Sequence, residues 1–176
     1  VKTYCAAVNG LDVTTVTIEV SLTKGVMFRM TGLGDTAVRE GRDRMAAALV
    51  NNGYLFPNAD ITVNMAPADL RKEGSGFDLP LAIGVLAASK QIEPVGLDRI
   101  MLVGELGLDG ALQPVKGALP IAMRAKADGF VALVVPQQNV REAAVVEGIR
   151  VYGMSQMKEV ISMITGQERF QPVSVD

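Results

Sequence analysis

The residues best suited to chemistry in this sequence are Lys72, Ser75 and Asp78, which fall within one stretch of seven residues. A polar loop carries them between two apolar runs, Ile61–Met65 and Leu79–Ala88, which read as a buried strand and a buried helix. Loops of this kind commonly hold binding and catalytic groups. A serine hydroxyl with a lysine amine as base can carry out acyl transfer. Asp78 is placed either to orient one of these groups or to cap the helix.

The composition argues against several classes of active site and binding site. The chain has 176 residues and no histidine, which excludes Ser-His-Asp and Cys-His catalysis within it. The lone Cys5 and the lack of histidine also argue against a zinc site. A net charge of −2 is not that of an autonomous nucleic-acid-binding domain. No apolar run reaches the roughly 18 residues that span a bilayer, and the first residues lack a signal-peptide pattern, so a cytoplasmic protein without a membrane partner is expected.

The hydrophobic patterns predict the elements that must position the loop. Predicted strands are Tyr4–Val8, Val13–Leu22, Val26–Met30, Ile61–Met65, Ile100–Gly104, Val131–Val135 and Arg150–Tyr152. Predicted helices end near Asn51, Ser89, Asp128, Glu147 and Thr165, with N-caps at Asp35 or Thr36, at Asp78 and at Ser155. Hairpin turns are predicted at Thr23–Gly25 and at Asp109-Gly110. This order predicts an α+β domain with a mixed sheet and helices mainly on one side.

Nucleotide-binding signatures are weak or absent. The segment Gly32–Ala37 matches the spacing of a dinucleotide-binding loop, but a predicted hairpin precedes it and no acidic residue ends the next strand. A glycine-permissive turn that leads into a helix is the favoured interpretation. The sequence has no G-x-x-x-x-G-K-[ST] phosphate loop, so any ATPase site lies outside it.

A family resemblance rests on several segments taken together. They are Lys2–Tyr4, Gly10-Leu11, Val16–Val20, Gly32–Glu40, Ala66–Leu70, Lys72–Gly74, Phe77–Pro80, Gly104–Leu106 and Pro114–Gly117. In combination they resemble the N-terminal domain of Mg-chelatase-like AAA+ proteins, the ComM/YifB family that is often labelled an ATP-dependent protease. The likeness extends from about Val1 to Gly166.

The resemblance implies a fold and a setting. The fold is expected to be similar to the Lon proteolytic domain and to ribosomal protein S5 domain 2, over residues 1–166, with residues 167–176 a tail or the start of a linker to an AAA+ module. No cofactor is expected in this domain, whereas the AAA+ module of the parent protein is expected to use ATP and Mg. The parent is expected to form homo-hexameric rings, with neighbouring subunits and its own AAA+ module as partners. Some relatives act in DNA branch migration during natural transformation, so DNA is a candidate partner of the full-length protein.

The resemblance also identifies the positions of the Lon Ser-Lys dyad. Aligning Lys72–Gly74 with Lon's Lys-Asp-Gly puts Gly76 at the serine position. Aligning Pro114-Val115 with Lon's Pro-Ile pair puts Leu119 at the lysine position. Both positions then lack a reactive group, which predicts an inactive peptidase.

Three functions remain open from the sequence. The first is a non-catalytic Lon-like domain that serves ring assembly and DNA or substrate handling, with Arg71 and Lys72 as candidate contacts to a partner subunit or DNA. The second is an ATP-dependent peptidase of Lon type, in which a loop shift of one residue lets Ser75 act as nucleophile with Lys116 or Lys72 as base. The third is a module for oligomerisation only.

Overall fold

The computed structural model describes residues 1–68 and 76–175. The strands within them are β1 (Lys2–Asn9), β2 (Asp12–Thr23), β3 (Phe28–Thr31), β4 (Asp60–Ala66), β5 (Ile100–Leu102), β6 (Glu105–Leu106), β7 (Leu112–Gln113), β8 (Ala132–Pro136) and β9 (Arg150–Met154). The helices are α1 (Asp35–Asn51), α2 (Asp78–Ala88), α3 (Ala118–Ala127), α4 (Val140–Ala144) and α5 (Met157–Ile164). None of these helices is long and apolar enough to cross a membrane. The predicted α+β class with a mixed sheet is confirmed.

The first sheet is mixed and has the strand order β1-β2-β4-β3. β1 and β4 each pair antiparallel with β2, whereas β3 runs parallel to β4. Parallel neighbours need a crossover connection, which α1 provides between β3 and β4. β2 forms because Val16, Ile18 and Val20 recur at every second position and all point into the core.

The predicted hairpin at Thr23–Gly25 is wrong. β2 and β3 are consecutive in sequence, but β4 lies between them in the sheet. The Asp60 carboxylate at the start of β4 accepts a hydrogen bond from the Met27 N–H at 2.8 Å and so ties this connection to β4. Gly25 has φ +151°, and a side chain there would overlap the Asp60 carboxylate, so the connection requires glycine. The pairing depends on a strand more than thirty residues away, which a local pattern does not contain.

The second sheet is parallel, with the order β5-β8-β9, and the predicted hairpin of β6 and β7 is present beside it. Every residue of β5 and β8 is buried, as is typical of parallel strands covered on both faces. α2 is buried from Asp78 to Leu86 and packs on β1 and β2, and α3 also packs on β2. α2 is therefore the central helix of the core.

Three helices begin after residues other than the predicted caps, and α1 and α5 are two of them. Gly34, not Asp35 or Thr36, is the N-cap of α1. α5 starts after Gln156, whose side chain forms a reciprocal capping box with Glu159, so the predicted cap at Ser155 is wrong. The capping box satisfies two backbone N–H groups at once, which a single serine cap does not.

Residues 167–175 run beside β9, the outer strand of the second sheet. The Val173 N–H donates to the Val151 carbonyl at 2.8 Å. The side chains of Phe170 and Val173 pack against the core. The segment thus covers part of a sheet edge that would otherwise present unpaired backbone groups.

Gly84 marks the closest approach of α2 to β2, and this contact gives a testable prediction. A Cβ atom on Gly84 would lie 2.8 Å from Cγ2 of Val20, a buried side chain with a stiff χ1 angle. We expect Gly84→Ala to lower the free energy of unfolding by about 1–2 kcal/mol, because overpacking outweighs the gain in helix propensity. Urea unfolding of the purified variant measures this change.

The matched control is Gly41→Ala in α1. A Cβ there would meet its nearest neighbours at 3.7 and 3.8 Å, which are ordinary contact distances. The same substitution is therefore expected to raise stability by up to about 1 kcal/mol. A stabilised Gly84→Ala variant would contradict the close approach of α2 to β2.

Candidate functional site

A groove of about 490 Å³ opens beside Gly76. It is lined by Ala6, Val8, Gly76, Phe77, Val103, Glu105, Pro114, Val115, Lys116 and Ile121, and is called the Gly76 groove below. β1, the start of α2, the β5–β6 connection and the β7–α3 connection meet around it. Its charged lining residues are Glu105 and Lys116.

No described residue that lines the Gly76 groove has a hydroxyl or thiol side chain. The Gly76 carbonyl accepts hydrogen bonds from the Gly104 N–H at 3.1 Å and from the Cys5 thiol at 3.4 Å. A Cβ atom on Gly76 would lie 3.8 Å from the side chain of Val115, which is an ordinary contact distance. The surroundings of Gly76 therefore leave room for a Cβ atom. The described lining therefore offers a carboxylate and an ammonium group but no nucleophilic oxygen or sulfur.

The buried side chain of Asn139 fixes the β7–α3 connection. Its Oδ1 accepts a hydrogen bond from the Val115 N–H and its Nδ2 donates to the Val115 carbonyl, both at 2.9 Å. The amide thus satisfies both backbone groups of Val115. Gly117 follows with φ +79°, and a side chain there would press on Val8 at 3.3 Å, so this turn also requires glycine. The connection holds Lys116 at the edge of the groove.

Leu119 lies in the first turn of α3 and is half-buried. Its backbone N–H donates to the carboxylate of Glu142 at 3.2 Å, so α4 also supports this turn. Leu119 is not among the described residues that line the Gly76 groove. Gly76, in contrast, is part of the groove wall.

A buried ion pair lies next to the groove. The Arg44 guanidinium of α1 donates from Nε to Oδ2 of Asp78 at 2.8 Å and from Nη2 to Oδ1 at 3.1 Å. The Leu106 N–H donates to the same Oδ2 at 3.0 Å. Only 4% of the Asp78 side chain and 24% of the Arg44 side chain are exposed. One carboxylate therefore joins α1, α2 and the β6–β7 hairpin.

Burial and pairing act on the pKa values of this pair in different ways. Burial raises the pKa of Asp78, against the lowering effects of the Arg44 guanidinium and the Leu106 N–H. The hydrogen bonds to Asp78 raise the pKa of Arg44. Both carboxylate oxygens accept hydrogen bonds from these donors, as an ionised aspartate requires.

The structure corrects the predicted role of Asp78 as a helix cap. The N-cap of α2 is Phe77, and no side chain caps this helix end. Asp78 is instead the first residue of the helix, and its carboxylate is used by Arg44 and Leu106. A bidentate guanidinium binds a carboxylate more strongly than a neutral backbone N–H does, which explains the preference.

The other predicted site residues divide into two groups. Gly76 and Lys116 lie together at the Gly76 groove, with Leu119 in the adjoining turn. Arg71, Lys72 and Ser75 lie outside the described residues. Among the described residues, no cluster of acidic and thiol side chains is suited to hold a metal ion.

Sequence reasoning missed Arg44 and Asn139, the two side chains that fix the walls of the site. Arg44 lies in a run of mixed charges on α1, a pattern typical of a solvated helix face. Helical spacing from Met45, Ala48 and Leu49 carries a signal, because it places Arg44 beside the buried stripe of α1. Asn139 has no comparable local signal.

Residues 18–139 match the family described as subunit ChlI of Mg-chelatase. The chain belongs to this family. The competence protein ComM of Haemophilus influenzae is 40% identical over 94% of this chain and 33% of its own length. YifB of Escherichia coli, an uncharacterized protein, is 39% identical over 96% of this chain and 33% of its own length. The resemblance to ChlI-type, Mg-chelatase-like proteins is thereby confirmed.

A more distant similarity connects this ChlI-family chain to a protease. Lon protease 2 of Bacillus subtilis is 26% identical over 60% of this chain and 19% of its own length. The chain spans about a third of the length of ComM and YifB. Activities of the longer proteins therefore reach this chain only as proposals.

Proposed function

We propose that this chain is a non-catalytic Lon-like domain of a Mg-chelatase-like AAA+ ATPase. It serves ring assembly and the handling of DNA or another substrate. The observation that carries the proposal is the Gly76 groove, whose described lining lacks a hydroxyl or thiol nucleophile. A peptidase of Ser-Lys type needs both members of the pair within hydrogen-bond reach.

Three further findings support the proposal. The similarity to Lon protease 2 supports a fold of the Lon proteolytic-domain and ribosomal protein S5 domain 2 type over residues 1–166. Membership of the ChlI family supports a Mg-chelatase-like setting. The proposal adds that a module beyond these residues binds ATP and Mg and that the parent protein forms homo-hexameric rings. The name of the competence protein ComM agrees with a role in competence. As part of the proposal, this role is natural transformation through DNA branch migration, in the cytoplasm.

A Ser-Lys peptidase is the second candidate. Lys116 lines the Gly76 groove, and Ser75 is the residue immediately before Gly76 in the chain. If Ser75 reaches the groove, Lys116 is the candidate base in its described lining and Glu105 is the carboxylate there, with Lys72 as the alternative base. The two candidates therefore differ in whether Ser75 is activated.

Labelling with a fluorophosphonate probe separates these candidates. We expect no labelling of this chain above the level of the Ser75→Ala variant, because an unactivated serine hydroxyl is a poor nucleophile. Ser21→Ala, at an exposed serine of β2, is the matched control. Labelling that is lost in Ser75→Ala and in Lys116→Met, but kept in Ser21→Ala, would overturn the non-catalytic assignment in favour of the peptidase.

The third candidate, a module for oligomerisation only, differs in its binding properties. It requires rings of the chain that assemble with rising concentration, and no affinity for DNA at any salt concentration. Salt-sensitive DNA binding by this chain would contradict it.

A further inference from the structure

Three cationic residues line two adjoining cavities at one edge of the parallel sheet, the end at which its strands begin, away from the Gly76 groove. β5, β8 and β9 start in register at Ile100, Ala132 and Arg150. At this edge the Val131 N–H donates to the Arg99 carbonyl at 3.0 Å, and the Arg150 N–H donates to the Val131 carbonyl at 3.1 Å. The main chains of Arg99 and Arg150 are therefore two strand spacings apart, about 10 Å.

Arg99 and Arg150 line a cavity of about 210 Å³ beside this edge, called the Arg99–Arg150 pocket below. Val95 and Met163 contribute apolar surface to it, and Tyr152 contributes an aromatic ring. Arg150 and Tyr152 are two residues apart on β9, so their side chains leave the same face of the sheet. Two arginines, several apolar residues and a half-buried tyrosine therefore line the pocket.

Lys126 extends the positive charge beyond the pocket. A neighbouring cavity is lined by Lys126 together with Val131 and Arg150, so the two cavities share a wall. The Lys126 ammonium packs over Gly148, with Nζ 3.3 Å from where a Cβ atom on that glycine would lie. Arg99, Arg150 and Lys126 are called the cationic row below.

The cations of the row are not paired with acids in the described part of the chain. No residue of the row forms an ion pair with any residue that the structure describes. Asp128, two residues from Lys126, is bound by Arg124 at 2.9 Å. The exposed acids Asp98 and Glu147 adjoin Arg99 and Gly148 in sequence without pairing to the row. In a chain of net charge −2, three neighbouring cations that have no ion-pair partner among the described residues form a local site of attraction for anions.

We propose that the Arg99–Arg150 pocket and the cationic row bind single-stranded nucleic acid. The phosphates contact Arg99, Arg150 and Lys126, and one base stacks on Tyr152. A guanidinium fork matches two phosphate oxygens, and cationic grooves that contain aromatic rings are typical of sites for single strands. The inference rests on the proposed role in DNA handling and names the surface and the ligand class for it.

An acidic peptide is the competing ligand, and the aromatic ring decides between the two. Carboxylates and phosphates both suit the guanidinium groups. A run of acidic side chains, however, has no planar face to stack on the ring of Tyr152. A base has a π-face that fits such a surface.

Fluorescence anisotropy with a labelled oligothymidylate of 20 nucleotides tests the inference. Three phosphate contacts predict a slope of about −2 for log affinity against log salt, or a loss of about 20-fold between 50 and 200 mM NaCl. The triple variant Arg99→Gln, Lys126→Gln, Arg150→Gln is expected to lose most of this slope. The control variant Lys24→Gln, Arg39→Gln, Arg141→Gln loses the same charge at exposed cations outside the row and is expected to retain it.

Two variants of Tyr152 test the stacking. Tyr152→Leu is expected to weaken binding at least about fivefold, whereas Tyr152→Phe keeps the ring and the affinity. Circular dichroism spectra confirm that each variant is folded. Equal binding by Tyr152→Leu and the unchanged chain would overturn the stacking contact.

The remaining outcomes are distinct. Binding that survives in the triple variant would overturn the cationic row while leaving DNA handling in place. No binding by the unchanged chain at 50 mM NaCl would overturn both the inference and DNA handling by this chain, but not the non-catalytic assignment, which the fluorophosphonate probe tests separately. Binding of a polyglutamate of matched charge with equal affinity and slope would identify an acidic peptide as the ligand instead.

Discussion

Replacing Arg44 by methionine is expected to lower the free energy of unfolding by about 3–5 kcal/mol at neutral pH. Methionine keeps much of the side-chain length but removes both hydrogen bonds to Asp78, whose carboxylate is 4% exposed. An ionised carboxylate is then left buried with the Leu106 N–H as its described partner. Guanidinium chloride unfolding measures the loss.

The deficit of Arg44→Met is expected to shrink as the pH falls. Burial already raises the pKa of Asp78, and removing Arg44 takes away the largest opposing effect. A carboxyl group whose pKa is higher in the folded than in the unfolded state penalises folding above its folded pKa. That penalty is absent below the unfolded pKa of about 4. The variant is therefore closest to the unchanged chain under acidic conditions.

Arg39→Met is the control for this experiment. Arg39 lies on the same helix, is exposed, and forms no ion pair with a described residue. The same substitution there is expected to change stability by about 0.5 kcal/mol or less. A loss in Arg44→Met that is equally small, or that grows towards low pH, would contradict a buried, ionised pair.

Replacing Asn139 by alanine is expected to cost about 2–3 kcal/mol, because it leaves the N–H and the carbonyl of Val115 without their partner. The effect is expected to be local as well as global. Hydrogen exchange at the Val115 amide should become faster than the change in global stability alone explains, since the β7–α3 connection loosens at the edge of the Gly76 groove.

Asn51→Ala is the matched control for Asn139→Ala. The Asn51 side chain donates one hydrogen bond, to the Leu108 carbonyl at 2.7 Å, from an exposed position. Its loss is expected to cost less than about 1 kcal/mol. A Val115 amide that remains protected in Asn139→Ala would show that the side chain does not hold the connection.

The elements of this fold are largely predictable from the sequence, whereas their pairing is not. The β-branched run Val13–Leu22 and the apolar run Leu79–Ala88 have the periodicity of β2 and the buried character of α2, and both elements are present. The insertion of β4 between β2 and β3 has no local signature, because it depends on contacts between distant segments. The hairpin predicted at Thr23–Gly25 was wrong for that reason.

The site shows the same division. Lys116 and Gly76 were identified from their motifs, and both line the groove. The residues that hold its walls are bonded to partners far away in the sequence. Arg44 and Asp78 are 34 residues apart, and Asn139 and Val115 are 24 residues apart. From the sequence alone, a charged or amide side chain is expected to lie on the surface. Its burial becomes apparent only when the folded structure shows its distant partner.

The buried thiol of Cys5 can report local opening of the fold around β1. Cys5 is fully buried in β1, its Sγ contacts the Gly76 carbonyl at 3.4 Å, and burial raises its pKa to about 12. A thiol in that state is both shielded and protonated, so an alkylating reagent reaches it only when the fold opens around β1. The rate of Cys5 alkylation therefore measures how often this part of the fold opens, without any engineered reporter.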